Sequence, residues 1–381
     1  MRREAPIGVL VAAVALLAMV ALPFAFPLMQ EAQDRRAAAE AQGAAQAERS
    51  GQRVDGVVVA PGDRTHAHVL PVSAPHWYVT VHGDEGALAQ VFAIDGSGKV
   101  IGPVLGPLPA SEPPLAELRG MAVLGNGDLA VLNAKHDATR VMVFGRPDPS
   151  TGIRPYRATW IAGGPANPAM VHAYQVSVGP SGSLYASNQD TNTITRYHGL
   201  GTKDAGKPMP VATGLAGFGT LLPGTVVPND QQSPEGLSLV RGFAFGPDGL
   251  LYACDRGRSR IAVHDPDTGR LVRVALDARS GLEHPIQVMF TADGRRMLVT
   301  DNKANCVWSQ DLATGETKHL VAPGDGGLNA PSSIAMRDHV LYVGSRLGKQ
   351  VLKYDARSGR FLGVFTELPS NPEFLVPVEQ Q

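Results

Sequence analysis

The sequence predicts an all-β fold, a six-bladed β-propeller of four-stranded antiparallel blades, and three observations carry that prediction. The first is turn spacing. In residues 242–270, GFAFGPDGLLYACDRGRSRIAVHDPDTGR, β-rich runs end at Gly-Pro-Asp-Gly, at Asp255 and at Asp265. A chain that turns about every eight to twelve residues is laying down an antiparallel sheet rather than helices. The second is repetition. The same order of apolar run, turn, β-rich run, polar break and Asp-containing turn recurs from Ile334, from Gln287, near Tyr174, near Arg119 and near His68, with Asp301 standing where Asp255 stands and Tyr78 on Tyr342. The period is about 45 to 65 residues, at or somewhat above that of four-stranded blades. The third is composition: 43 Gly and 30 Pro beside 44% hydrophobic residues supply the turns and the core of a large all-β domain.

A single four-stranded blade cannot cover both of its apolar faces, so each blade must pack between two neighbours. Six copies close a ring that leaves only short edges. The order Gly-Pro-Asp-Gly, Leu251-Tyr252, Asp255, Arg260-Ile261, Asp265 and Gly269 resembles the NHL repeat, and the copy from Gly326 to Phe365 is similar to repeats of secreted bacterial propellers. The resemblance implies a six-bladed propeller over most of the chain after Val54. It implies no single activity, because propellers of this kind include amidating lyases, lactonase-like enzymes and binding platforms.

Taken in order, the chain opens with Met1-Arg2-Arg3-Glu4 and then runs from Ile7 to Met29 without a charge. A positive start followed by an apolar run of bilayer-spanning length predicts a signal anchor over residues 1–29 with the remainder outside the cytoplasm. A cleaved signal peptide, which would leave the protein secreted, is the rival reading. Residues 30–53, rich in Ala, Gln, Glu and Arg with no apolar stripe, read as a stalk or a disordered linker. The propeller occupies residues 54–381. Val54–Val59 is expected to close the ring as an outer strand of the last blade, with the run from Phe374 to Val378 across the seam or at a blade edge. Between Gly199 and Val240 the third copy carries a long Gly- and Pro-rich insertion. Its stretch from Phe218 to Val227 is expected to cover one side of the channel mouth, with Asn229 and Asp230 adding polar groups.

The balance of 34 basic to 35 acidic residues, with no basic cluster interleaved with aromatics, argues against a nucleic-acid partner. Cys254 and Cys306 read either as a disulfide or as two buried thiols. No GxSxG elbow, P-loop or HExxH motif is present, so the motifs of serine hydrolysis and phosphoryl transfer are missing.

Loops over a rigid scaffold carry function, and in a propeller they converge on the channel mouth. Projecting the repeat places Asn133, His136, Asn188, Asp190, Arg256, Asn302 and Arg346 there as a ligand-binding face. Asp255, Asp301, Arg119 and Arg241 are the catalytic candidates, the arginines orienting an anionic substrate. In one reading His172 and His284, with His66 or His68, hold a divalent metal: imidazole suits zinc, and the resemblance adds that amidating lyases place metal-binding histidines just ahead of inner strands. An oxygen-only set of Asp and Asn would suit calcium instead. In the other reading the recurring Asp255 and Asp301 accept bonds from backbone amides of nearby loops. The expected function is capture of a ligand or partner protein through the channel face. The alternative is a metal-assisted lyase or lactonase-like hydrolase at the same place.

Overall fold

The computed structural model describes residues 76–82 and 89–378, all within a compact unit spanning residues 67–381 that is distinct from residues 1–66. The expected anchor (1–29), the stalk (30–53), the run Val54–Val59 and both His66 and His68 lie outside the described residues. Six four-stranded antiparallel sheets form the blades of a closed ring. Blade one contains β1 (His76–His82), β2 (Val91–Ile94) and β3 (Val100–Pro103). Blade two contains β4 (Leu118–Val123), β5 (Leu129–Asn133), β6 (Arg140–Phe144) and β7 (Tyr156–Ala162). Blade three follows with β8 (Ala173–Val178), β9 (Leu184–Asn188), β10 (Thr193–Tyr197) and β11 (Thr225–Val227). Blade four is β12 (Val240–Phe245), β13 (Leu251–Asp255), β14 (Arg260–His264) and β15 (Leu271–Leu276). Blade five is β16 (Pro285–Phe290), β17 (Arg296–Asp301), β18 (Cys306–Asp311) and β19 (Thr317–Val321). Blade six is β20 (Pro331–Arg337), β21 (Val340–Ser345), β22 (Gln350–Asp355) and β23 (Phe361–Glu367), after which β24 (Asn371–Val378) returns to blade one.

The strands β4, β8, β12, β16, β20 and β24 touch one another in sequence and form the inner ring. The C-terminal run takes a blade edge, one of the two places expected for it. The C-terminal run pairs with β1 as the inner strand of blade one, and blade six is already complete with four strands of its own. The reason is register: Pro372 pairs with Val81 and Thr80 with Phe374, which buries Phe374 in the seam with blade two and Leu375 in the seam with blade six.

Each seam between neighbouring blades encloses its own apolar cluster, such as Tyr252, Ile261, Val288 and Trp308 between blades four and five. Cys254 and Cys306 both belong to that cluster as free, buried thiols. Fully burying side chains of this size stabilises the fold by about 1.5–3 kcal/mol each. The Asp-x-x-Thr/Ser-Gly turns follow a simple rule. Asp265 accepts the amides of Asp267 and Thr268, Asp355 accepts those of Arg357 and Ser358, and the chain then needs a left-handed residue. Gly269 (φ 75°) and Gly359 (φ 76°) supply it, and a Cβ on Gly359 would lie 1.5 Å from the Leu320 carbonyl oxygen of the preceding blade.

Close to the axis the blades are joined by a position-specific code at one place in the inner strands, the third residue of β4, β8, β12, β16 and β20 and the fourth of β24, which reads Gly120, Gln175, Gly242, Gln287, Ser333 and Phe374 around the ring. Gln175 donates to the Phe243 carbonyl at 2.8 Å and accepts the Phe243 amide at 3.0 Å, bonding blade three to blade four. Gln287 accepts the Ile334 amide at 3.0 Å, bonding blade five to blade six. At the alternate seams the backbones themselves approach. A Cβ on Gly120 would sit 2.8 Å from Gln175 Cα, and one on Gly242 would sit 2.7 Å from the Ile286 carbonyl oxygen. The seam between blades six and one is held by Ser332, which donates to the Pro372 carbonyl at 2.7 Å.

Candidate functional site

The residue just before that place in each inner strand, the second of β4, β8, β12, β16 and β20 and the third of β24, builds the site. In ring order from blade one these are Glu373, Arg119, Tyr174, Arg241, Ile286 and Ser332. Tyr174, Ile286 and Phe374 share one apolar cluster, with the Tyr174 and Phe374 rings 5.4 Å apart, and so form an apolar floor across the channel. Arg119 and Arg241 stack on the Tyr174 ring at 5.5 and 5.7 Å. A cation over an aromatic face is held by the ring quadrupole while its edge stays free to donate. Burial and the Glu373 charge push the Tyr174 phenol up, so it remains protonated.

Glu373 is the buried carboxylate of this ring, only 1% exposed. Its Oε1 lies 2.7 Å from Arg346 Nε and its Oε2 3.3 Å from Arg119 Nη1. Burial opposes ionisation, but Arg346 and Arg119 outweigh it and hold the carboxyl below its ordinary value. Across the ring, in blade four, Arg241 donates to the Val240 carbonyl, and Arg256 Nη2 lies 3.4 Å from His284 Nδ1. Burial first, then the Arg256 charge, pulls Arg241 down to about 9. Burial together with Arg256 and Lys303 lowers His284, so the ring is neutral at pH 7 and can accept from Arg256.

A second group lies where blades one, two and three meet. His172 Nδ1 is 3.1 Å from Asp190 Oδ1, and its Nε2 is 3.2 Å from Glu117 Oε2. Glu117 also meets His82 at 3.8 Å and Arg119 at 4.0 Å, while Asp190 meets His136 at 3.1 Å. His172 sits just ahead of β8 with a left-handed backbone (φ 47°), as do Leu239 and Ala330 ahead of their own inner strands. Burial alone would lower the His172 pKa, but Asp190 and Glu117 together raise it above 6.5. The sign follows directly: the stabilisation from charged His172 is fully present below the usual histidine value and is lost as pH rises through the raised one. An NMR titration of the His172 ring should give a midpoint above 6.5, and His172→Gln should flatten stability against pH over the same interval. A midpoint at or below 6.5 would count against the two-carboxylate clamp.

The remaining sequence candidates serve the scaffold. Asn133 accepts the Ala116 amide at 2.8 Å and Asp255 the Ser238 amide at 2.8 Å, while Asp301 accepts the amides of Glu283 at 2.7 Å and His284 at 3.0 Å. Ser345 does the same for Asn329 at 3.0 Å. One repeat position thus ties the end of the second strand in blades two, four, five and six to the loop leading into that blade's own inner strand. Asp255 further pairs with Arg260 at 2.7 Å, and Asp301 receives Lys303 and Ala304 amides, so these two buried carboxylates have their oxygens occupied by the fold. Asn188 is buried against Thr195 at 2.9 Å. Asn302 stands at the same repeat position as Arg256 and Arg346, one residue past the second strand.

The insertion in blade three is placed differently from the expectation. Thr225–Val227 forms the outermost strand of its blade, and Phe218 lies under Arg270 (5.1 Å), so the stretch packs on the rim rather than at the mouth. The physical reason is that blade three otherwise lacks a fourth strand, and this run supplies it. Asn229 donates to the Thr191 carbonyl and Asp230 faces Arg258 at 3.7 Å.

His172 and His284 are engaged by different partners, carboxylates in one case and a guanidinium in the other. Among the described residues no group of three or more His, Cys, Asp or Glu is placed to hold an ion.

Sequence reasoning missed Glu117, Glu373, His82 and Tyr174. Tyr174 carried a usable signal, because it occupies the repeat position of Arg119 and Arg241.

These features define the class: a six-bladed β-propeller with a polar mouth above an apolar floor, and the resemblance of its repeats to NHL-type propellers holds at the level of fold. Neither a protein-family model nor a curated protein sequence matches the chain. Among solved structures, a chain of a nidogen/laminin complex is similar at 12% identity and TM-score 0.54 over 80% of this chain and 99% of its own length. A protein of unknown function from Bacteroides caccae is similar at 14% identity and TM-score 0.52, over 81% of this chain and 100% of its own. Both likenesses are of fold.

Proposed function

We propose that the protein is a binding propeller that captures a ligand, or a side chain of a partner protein, in the mouth of its channel. We further propose that its N-terminal segment anchors it outside the cytoplasm. The observation that supports the binding reading is the convergence, from different blades, of Arg119, Arg241 and Glu373 on the Tyr174 ring beside the apolar cluster of Ile286 and Phe374. The residues that gather there hold donors and charges, whereas the candidate carboxylates Asp255 and Asp301 are occupied by the scaffold.

A charge-neutral obstruction tests this reading. Asn302→Trp crowds the mouth without altering its charge. Compounds from a chemically mixed panel that raise the melting temperature of the full chain should lose that effect in Asn302→Trp. They should keep it in Arg279→Gln, a side chain 90% exposed and paired locally with Asp277. Hits that survive Asn302→Trp unchanged would place binding elsewhere and overturn the reading.

A further inference from the structure

The channel end holds more partly buried positive charge than it neutralises. Four guanidiniums, those of Arg119, Arg241, Arg256 and Arg346, approach the inner ring, and Glu373 is the buried carboxylate set among them. Glu373 serves two of the four. One of its oxygens meets Arg346 of blade six, the other Arg119 of blade two, so a single carboxylate bridges guanidiniums on either side of blade one.

The other two, Arg241 and Arg256, belong to blade four, three blades round the ring from Glu373. Among the described residues neither has a carboxylate within ion-pair distance; Arg241 bonds only to the Val240 carbonyl, and Arg256 only to the neutral His284 ring. The Nε of Arg256 is buried and has no hydrogen-bond partner in the protein. Val240 pairs with Asp255, so Arg241 and Arg256, the residues next after them, lie at the same end of blade four as two like charges. Two like charges held together out of water without a counter-ion cost stability unless something else supplies the opposite charge.

We propose that the ligand of this channel carries a carboxylate, seated between Arg241 and Arg256 as the counterpart of Glu373 on the far side of the ring. The assignment rests on the channel-binding reading above and adds the chemical class. A carboxylate is favoured over other anions because the chain's own solution for a guanidinium pair at this depth is a planar carboxylate giving one oxygen to each arginine. The stacking of Arg241 on Tyr174 and the bond from Arg256 to His284 fix both donors in advance, so little ordering remains on binding.

The test uses the full chain in a chloride-free buffer, titrated calorimetrically with propionate, with propionamide as the neutral isostere and with inorganic phosphate. Propionate should bind saturably and propionamide should not. Arg256→Gln should weaken propionate by about ten- to a hundredfold, the loss of a charge-assisted hydrogen bond. Arg256→Lys, which keeps the charge and loses the fork, should fall between, and it decides the matter should the Gln variant fail to fold. Arg279→Gln should bind as the wild type does. Saturable binding of phosphate without propionate would overturn the carboxylate assignment, as would propionate binding unaffected by either change at Arg256. If neutral compounds bind at the mouth and are lost in Asn302→Trp while no anion binds, this inference fails and the channel-binding reading stands.

Discussion

A chain ending at Ser370 should lose its cooperative melt and be cut rapidly by protease. Without β24, blade one keeps three strands, and β1 loses every partner from His76–Val378 to His82–Asn371 along its inner edge. Phe374 and Leu375, each 3% exposed, leave the core, at about 1.5–3 kcal/mol apiece. The Thr80 hydroxyl loses the Phe374 amide at 3.0 Å, and Ser332 loses its bond across the last seam. Because the net stability of a domain is about 5–15 kcal/mol, a loss of this size removes most of it. Circular dichroism against temperature and limited trypsin digestion check the result. A truncated chain that melts within a few degrees of the full one would show that the ring does not depend on this closure.

The second large effect is expected from Glu373→Gln. Glutamine keeps the shape and removes the charge, which leaves Arg119 and Arg346 facing each other near the axis with no carboxylate between them. Removing one partner of a buried ion pair costs about 3–5 kcal/mol, and because the two arginine side chains are 13% and 31% exposed the lower end is expected here. In urea the midpoint should fall while the slope stays unchanged, the mark of lost stability rather than altered compactness. The pH dependence has a definite sign. Arg346 and Arg119 hold the Glu373 carboxyl below its ordinary value of 4.5, so its contribution is complete above that value and is lost as pH falls below it. The Gln variant should therefore lose less on acidification than the wild type. A loss below about 1 kcal/mol would mean that water, not Glu373, balances the arginines.

How much of this was legible in the sequence depended on repetition. Turns such as Asp265-Pro266-Asp267-Thr268-Gly269 recur and carry their own local physics, so the blades and their number could be read from the text. The alternation of Asn133, Asp255 and Asp301 at one repeat position was also legible, and its recurrence is what a scaffold bond leaves in a sequence. What could not be read was anything that happens once. Asn371–Val378 has no turn and no second strand of its own, so it could not be aligned with the five other inner strands, and Glu373 stayed hidden with it. Glu117 and His82 act through side chains that meet only after the ring closes, across seams far apart in the chain. The blade-three insertion misled for a related reason: Thr225–Val227 is a short strand displaced from its usual place by a long excursion, and length alone does not reveal which side of a blade a segment will join.

The glutamines and glycines near the axis give the six copies fixed addresses. Gln175 reaches the backbone of blade four because that strand approaches with Gly242 beside it, and Gln287 reaches blade six, whose strand offers Ser333 at the matching place. A copy of blade three set down in place of blade four would bring its glutamine where only Gly242 leaves room, and a copy of blade two set down before blade six would bring a glycine with nothing to offer Ile334. Sequence similarity among the blades therefore does not make them interchangeable. The ring admits one order of assembly, and the hub, rather than the rim that the repeats make look alike, is where that order is written.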